Sequence, residues 1–163
     1  MLDEFGSNDP SDYIGGFPSH PHRGFETVTY LLRGELEHRD SLGNHGFLGE
    51  GDTQWMTAGR GVIHKEGPSE AFKARGGTLH GLQLWVNLPA RQKMKPASYR
   101  DIPAADLTMA TLDSGGQLKL IAGRLEVDGR QLAGPINSEA GDMATDPLFV
   151  DLDLAAGERY QLA

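Results

Sequence analysis

Two short motifs in the chain carry side chains of the types that bind metal ions. His20-Pro21-His22 places two imidazoles two residues apart, and Val62-Ile63-His64-Lys65-Glu66 places an imidazole and a carboxylate at the same spacing. On an extended strand, residues two apart point to the same face. Two neighbouring strands with such pairs can close on one ion. Three imidazoles and a carboxylate suit Fe(II), Mn(II), Ni(II), Cu(II), Co(II) or Zn(II), and an octahedral ion keeps two positions for water or substrate.

Two carboxylates compete for the fourth ligand position. Glu66 is two residues from His64, about 6.6 Å along a strand, which is also the spacing of the two histidines in the first motif. Glu26 is four residues from His22, about 13 Å along a straight strand, so it needs a bend to reach the ion. Gly24 could supply that bend. Both carboxylates share strand parity with their histidines, so parity cannot choose between them. The shorter spacing favours Glu66, and Glu26 stays open.

The remaining histidines and the tryptophans are predicted to have structural roles. His38 and His45 lie in or near a polar turn, outside the site. His80 opens a strand, where it either forms a hydrogen bond or lines the pocket. Trp55 and Trp85 lie on predicted strands, and their size favours a place in the core over a substrate platform.

Composition narrows the fold and the partners. The chain has 163 residues with Gly 22 and Pro 9, which favours many turns and an all-β fold. The absence of cysteine leaves only nitrogen and oxygen ligands for a metal. A net charge of -8 disfavours direct binding of nucleic acid or anionic lipid. The sequence shows neither an apolar run long enough to span a membrane nor a signal-peptide pattern, so we expect a cytoplasmic protein with no membrane partner.

Short extended segments alternate with turn signals from Glu26 onward, a pattern typical of a sandwich or barrel. Residues 3–19 are predicted to form an irregular arm, and Ala104–Met109 a short helix. Residues 131–147 show little periodicity. The predicted strands are Glu26–Leu32, Glu35–Arg39, Thr53–Met56, Val62–Glu66, Thr78–Leu88, Lys119–Val127, Leu148–Leu154 and Arg159–Leu162.

Longer segments around the two motifs resemble the pirin family, a branch of the cupin superfamily. The similar segments are Gly16–Val28, Gly51–Glu66, Gly81–Pro89 and Tyr99–Pro103. The resemblance is specific over residues 15–103 and weaker beyond. It implies a cupin-type double-stranded β-helix, a jelly-roll-like barrel. It also favours Glu66, because an H-x-E pair is the distinguishing variation of this family. The implied metal ligands are therefore His20, His22, His64 and Glu66, with Fe(II) as the most typical ion.

The resemblance further implies an activity, since several microbial members are similar to quercetin 2,3-dioxygenases. A flavonol 3-hydroxyl would lose its proton to Glu66 as general base, and dioxygen would open the heterocyclic ring with loss of carbon monoxide. The alternative is a non-enzymatic, metal-dependent regulatory protein that binds transcription factors or metabolic enzymes. An open pocket that reaches the metal favours the enzyme, and a sealed metal favours the binding protein.

Pirin-like proteins carry two tandem barrels, and this chain is too short for both. We predict a pirin-like barrel over residues 1–110 and an incomplete second cupin-like unit over residues 111–163, in a natural short form or a fragment. The predicted strands of the second unit are too few to bury both faces, and they leave unpaired edges. We therefore expect this unit to pack on the first barrel or on a partner chain, giving a homodimer.

Overall fold

The computed structural model describes residues 1–113, 115–137 and 144–161, and these are mostly β-strand. Among them, no helix combines the length and apolar character needed to cross a membrane. Two short helices interrupt the strands, α1 (Pro10–Tyr13) and α2 (Glu70–Arg75). The strands are β1 (Leu2–Ser7), β2 (Phe17–His22), β3 (Phe25–Arg33), β4 (Leu36–Asp40), β5 (His45–Leu48), β6 (Thr53–Thr57), β7 (Val62–Pro68), β8 (Leu79–Asn87), β9 (Ser98–Ile102), β10 (Thr108–Thr111), β11 (Gln117–Ala122), β12 (Arg124–Val127), β13 (Arg130–Ala133) and β14 (Phe149–Asp153).

The first compact unit, Met1–Ala104, contains two antiparallel sheets. One sheet has the order β1-β8-β3-β6-β9 and the other the order β2-β7-β4-β5. The Thr29 hydroxyl of β3 donates to Glu66 Oε1 of β7 at 3.4 Å, so the two sheets face each other. Strands that are distant in sequence are neighbours in both sheets, as in a jelly-roll-like barrel. The all-β fold class predicted from the sequence is confirmed.

Strand β3 forms the centre of the larger sheet because its residues can be buried on both faces. It pairs with β6 on one side and with β8 on the other. Val28 and Tyr30 on one face are buried, and so are Thr27 and Thr29 on the other. β-branched and aromatic side chains of this kind suit a pleated surface covered on both sides. The strand therefore provides a rigid base for groups that point between the two sheets.

The N-terminal segment is ordered, and the predicted irregular arm is wrong. Strand β1 pairs with the edge of β8, from Leu2 opposite Leu84 to Ser7 opposite Leu79. Tyr13, at the end of α1, is buried. It packs in the apolar cluster of Tyr13, Leu31, Leu36, Leu48, Phe72 and Leu79. The hydrogen bonds of β1 come from a strand about eighty residues away, which the local sequence pattern does not reveal.

Helix α2 was not expected either, and the helix predicted at Ala104–Met109 is wrong. The Ser69 hydroxyl accepts the backbone N–H of Phe72 at 3.0 Å, which caps the first turn of α2. Phe72 then buries its ring in the apolar cluster. At the other position, a single 3₁₀ turn at Ala104–Asp106 leads directly into β10. Pairing with β11 takes residues 108–111 into a strand instead.

The second compact unit, Ala105–Ala163, has a three-stranded sheet of order β10-β11-β14 and the hairpin β12-β13. The strand predicted at Lys119–Val127 is two strands, because Gly123 adopts a positive φ of 87° between them. The strand predicted at Arg159–Leu162 is absent from residues 159–161, and residue 162 lies outside the described residues. Strand β13 falls in the stretch without periodicity, of which residues 138–143 are not described.

The second unit has its own small apolar core. The buried side chains of this core are Ala110, Leu112, Leu118, Leu120, Leu125 and Val127. The division between the two compact units falls after Ala104. The assignment of residues 1–110 and 111–163 to a complete and an incomplete cupin unit stays a prediction.

Candidate metal centre

The register of β2 against β7 brings the three predicted histidines together. His20 is the direct cross-strand partner of His64, so both imidazoles lie on one face, and His22 follows at the same parity. The Nε2 atom of His20 is 2.9 Å from Nε2 of His22 and 3.0 Å from Nε2 of His64. The donor atoms of all three side chains lie within 4.8 Å of one another.

The protein environment leaves these imidazoles ready to bind a cation. Nδ1 of His20 is 2.7 Å from the carbonyl oxygen of Pro18, which can only accept, so Nδ1 carries the proton and Nε2 keeps its lone pair. Burial, with the neighbouring imidazole of His20, lowers the pKa of His22 to about 4. Burial and the adjacent imidazoles lower the pKa of His64 to about 3. Both rings are therefore neutral near pH 7.

The two nitrogen–nitrogen distances from His20 fit a first-row metal ion. Two donor atoms about 2.1 Å from an ion and at right angles around it are about 3.0 Å apart, whereas tetrahedral ligands are about 3.4 Å apart. The observed separations of 2.9 Å and 3.0 Å match the right-angled arrangement. Imidazole nitrogens in an octahedral arrangement are typical of Fe(II), Mn(II), Co(II) and Ni(II).

Glu66 lies beside this cluster on β7. Its Oε2 atom is 4.0 Å from Nε2 of His64, and the carboxylate is not among the groups whose donor atoms all lie within 4.8 Å. Its oxygens accept hydrogen bonds from Thr29 at 3.4 Å and from Gln83 at 3.2 Å. Burial raises the pKa of Glu66, and the bond from Gln83 partly offsets this. The carboxylate is thus near the histidines, at a greater distance than the His20 nitrogen is from its two neighbours.

Glu26 occupies a different place. Its Oε1 accepts a hydrogen bond from the Thr57 hydroxyl at 2.7 Å, and its buried Oε2 has no hydrogen-bond partner among the described residues. Side chains alternate along β3, and Thr29, three residues later, points to Glu66. Glu26 therefore lies on the face of β3 that is turned away from the cluster.

The other histidines have protein partners. His38 lies on β4 and is 2% exposed, which corrects its placement in or near a polar turn. Its Nε2 is 3.3 Å from Oδ2 of Asp101. His45 and His80 are hydrogen-bonded to acidic side chains, at 2.8 Å in each case. His80 bonds Glu4 of β1, in agreement with the hydrogen-bonding role proposed for it.

The tryptophans differ from each other. Trp55 is 5% exposed and belongs to the core, as predicted. Trp85 is only half-buried and lies beside the cluster, where its ring stacks on Phe25 at 4.5 Å and meets the ring of His22 edge-on at 5.2 Å. One feature of the sequence indicates this position of Trp85 beside the cluster. Gln83 and Trp85 share a face of β8 with Leu79 and Gly81, and an inward-facing glutamine there needs a polar partner.

The comparisons with known proteins agree with this fold. The Pirin family model matches residues 1–86. A protein of Pseudomonas aeruginosa named "Putative quercetin 2,3-dioxygenase" is 48% identical over 159 residues, which cover 98% of this chain and 53% of that protein. A pirin-like protein of Caulobacter vibrioides is 44% identical over 161 residues, covering 99% of this chain and 54% of that one.

A solved structure shows the same architecture. The crystal structure of a quercetin 2,3-dioxygenase from Acinetobacter baumannii superposes with a TM-score of 0.69 at 45% identity, over 79% of this chain and 45% of that chain. The fold is therefore of the cupin type. The chain spans about half the length of the curated relatives it matches. Because the family model covers more than half of the chain, and the two histidine motifs lie within the matched residues, this chain belongs to the pirin family.

Proposed function

We propose that the chain binds one divalent transition-metal ion through His20, His22, His64 and Glu66. Iron as Fe(II) is the first candidate, and Mn, Ni, Cu, Co and Zn are chemically compatible. The proposal rests on the close approach of three imidazole nitrogens, at 2.9 Å and 3.0 Å, with a buried carboxylate beside them. Glu66 is favoured over Glu26 because it lies on the same side of the barrel as the histidines.

We further propose that this metal centre serves a flavonol 2,3-dioxygenase of the quercetinase type. The flavonol takes up one molecule of dioxygen, its heterocyclic ring opens to a phenolic ester, and one molecule of carbon monoxide leaves. A bound metal ion supplies Lewis acidity that makes the flavonol 3-hydroxyl easier to deprotonate. Glu66 accepts the proton, and its raised pKa makes it a stronger base than an exposed glutamate.

The surroundings of His22 support a flat aromatic substrate. Phe25 and Trp85 are both half-buried and stack on each other beside the His22 ring. Aromatic rings arranged in this way bind planar aromatic molecules by stacking and by edge-to-face contact. His20 is also partly exposed, so the cluster is accessible from its side.

The test is turnover by the chain loaded with Fe(II), and separately with Ni(II), Mn(II) or Co(II), under air. We expect loss of the flavonol absorption band together with release of carbon monoxide, and we expect chelator to abolish both and added metal to restore them. The His64→Ala variant serves as the control without a complete site. Metal-loaded, folded protein that consumes no flavonol and releases no carbon monoxide would refute the enzymatic proposal.

A metal-dependent binding protein is the second candidate, with transcription factors or metabolic enzymes as partners. The observation in its favour is the burial of two of the three imidazoles, since His22 is 4% and His64 1% exposed. A metal ion bound mainly by buried side chains can stabilise the surrounding surface without taking part in a reaction. The same assay separates the candidates, because this protein would bind metal tightly and leave the flavonol unchanged.

A further inference from the structure

We propose that Gln83, held in place by Trp85, is the positioning residue for the Glu66 carboxylate. Neither residue is a candidate ligand, and both belong to β8, which supplies no donor atom to the cluster. The inference rests on the metal site proposed above. A residue of β8 thus positions a ligand that belongs to β7 of the opposite sheet.

The direction of the hydrogen bonds fixes the orientation of the Gln83 amide. An indole N–H can only donate, and Nε1 of Trp85 lies 3.0 Å from Oε1 of Gln83. The amide oxygen is therefore engaged, and the amide nitrogen must point the other way. There it donates to Oε2 of Glu66 at 3.2 Å and to Oγ1 of Thr29 at 3.2 Å.

The same chain of donors continues to the second carboxylate oxygen. The Thr29 hydroxyl, which accepts from Gln83, donates in turn to Oε1 of Glu66 at 3.4 Å. Both oxygens of the Glu66 carboxylate thus accept hydrogen bonds, one from Gln83 and one from Thr29. The indole N–H of Trp85 fixes the Gln83 amide in the orientation that makes both possible. An ionised carboxylate accepts through both oxygens and donates through neither, so this arrangement suits the charged form that a metal ligand requires.

Trp85 also touches a second proposed ligand. The ring of His22 meets the indole edge-on at 5.2 Å, and the stacked ring of Phe25 lies against both. One side chain thus contacts one ligand directly and a second through Gln83. Groups that orient metal ligands in this way commonly change metal affinity about 10–100-fold when they are removed.

The experiment compares Co(II) binding by the full chain and three variants. Gln83→Met keeps the length of the side chain and removes the donor. Trp85→Phe keeps an aromatic ring and removes the indole N–H. We expect Gln83→Met to weaken Co(II) binding about 10–100-fold and Trp85→Phe to weaken it less, in a competition titration with a chelator. We also expect both changes to alter the visible absorption spectrum of bound Co(II), which reports ligand geometry.

The matched control is Gln54→Met. Gln54 on β6 and Gln83 on β8 are both cross-strand partners of Thr29. The amide of Gln54, however, donates to Asp101 at 2.9 Å. We expect this variant to lose thermal stability and to keep the Co(II) affinity and spectrum of the unmodified chain. If Gln83 only stabilised the fold, the Co(II) affinity and spectrum would change to the same extent in Gln54→Met and in Gln83→Met.

Unchanged affinity and spectrum in Gln83→Met, or equal losses in Gln54→Met, would overturn the inference. If Gln83→Met does not fold, Trp85→Phe decides, and an unchanged Co(II) spectrum in that variant counts against the positioning role. If the unmodified chain binds no Co(II), the proposed metal site itself fails, and that result is distinct from failure of the Gln83 inference alone.

Discussion

The imidazole of His20 has one nitrogen engaged by the protein itself, through the 2.7 Å contact of Nδ1 with the carbonyl oxygen of Pro18. This contact fixes both the tautomer and the orientation of the ring, and it leaves Nε2 for a metal ion. His64 differs, because its buried Nδ1 has no hydrogen-bond partner in the part of the chain that the structure describes. Its ring has a polar neighbour on the other side, where Nε2 is 3.0 Å from Nε2 of His20, and that nitrogen is the one that faces a bound ion.

The choice between the two carboxylates is testable with a pair of conservative variants. We expect Glu66→Gln to reduce metal affinity by more than about 100-fold, since changes to groups that merely orient a ligand already cost about 10–100-fold. Glu26→Gln should retain its metal, because Glu26 bonds Thr57 on the far face of β3. The measurement is the metal content of each purified variant after dialysis against a weak chelator.

Both variants must first be shown to fold, by circular dichroism. A loss of metal in Glu26→Gln with retention in Glu66→Gln would show that the carboxylate is misassigned. Equal retention in both would show that the three histidines suffice and that Glu66 acts only on the substrate.

Strand parity was enough to predict from the sequence that His20 and His22 share one face of their strand and that His64 and Glu66 share one face of theirs. It works because the period of two is a property of any strand, whatever pairs with it. The role of Gln83 could not be predicted in the same way, since its contact with Glu66 depends on how two sheets face each other. His38 was misjudged for a similar reason, because its polar neighbours in sequence concealed a buried strand position.

At the scale of elements, strand β5 shows how a missing side chain can make room for a polar pair. Gly46 is the cross-strand partner of His38 on β4. A Cβ atom at this position would collide with Nε2 of His38 and Oδ2 of Asp101. The glycine thus leaves space for the His38–Asp101 contact, which joins β4 of one sheet to β9 of the other.

We expect Gly46→Ala to destabilise the protein by about 1–3 kcal/mol, the usual cost of an overpacked site. The added methyl group must displace either the His38 ring or the Asp101 carboxylate, and both are constrained. Urea unfolding measures the effect. The control is Gly15→Ala, where no atom lies within 4 Å of the added Cβ. Equal unfolding midpoints for the two variants would show that the close approach at Gly46 is relieved at no cost.

Strands β3, β4, β6, β7 and β8 were predicted, because turn residues and apolar alternation mark them locally. Strands β1, β2, β5 and β9 were not in the predicted set. Strand β1 and helix α2 have weak local signals and are held by distant partners, through β8 and through burial of Phe72. The break at Gly123 was readable in principle, since a glycine within an apolar run often marks a bend.

At the scale of the molecule, the chain has two compact units, and each has a core of its own. The three-stranded sheet of the second unit has β10 and β14 at its edges. Unpaired edges invite pairing with another strand. The expected homodimer stays a prediction, and sedimentation of the full chain at high concentration tests it. A monomer at all concentrations would exclude the version in which a partner chain covers this sheet.

The buried histidines predict how the stability of the metal-free protein depends on pH. His22 and His64 have an ordinary pKa of 6.5, which the fold lowers to about 4 and about 3. Below pH 6.5 these two histidines bind protons in the unfolded chain but stay neutral in the folded protein. The free energy of unfolding therefore falls as the pH drops toward 4. The loss is on the order of a few kcal/mol. Urea midpoints at pH 7 and pH 5, measured with chelator present, should show it.

The His22→Gln variant provides the comparison. Its stability should fall less between pH 7 and pH 5, because one of the two groups responsible is gone. Glu66 acts in the opposite sense, since its raised pKa favours proton uptake by the folded state, but its contribution is common to both proteins. An identical pH dependence in the two proteins would mean that burial of His22 does not oppose its protonation.

The pairing of β2 with β7 also bears on the order in which the protein folds. His20 and His64 are 44 residues apart in the chain, and they meet only when this long-range pairing has formed. Contacts of such separation close late, because the entropy of a long loop must be overcome first. In the folding transition state the imidazole nitrogens of β2 and β7 would therefore not yet be close enough to bind one ion together. The presence of the ion would leave the refolding rate almost unchanged and slow the unfolding rate, so the metal would lengthen the lifetime of the native state.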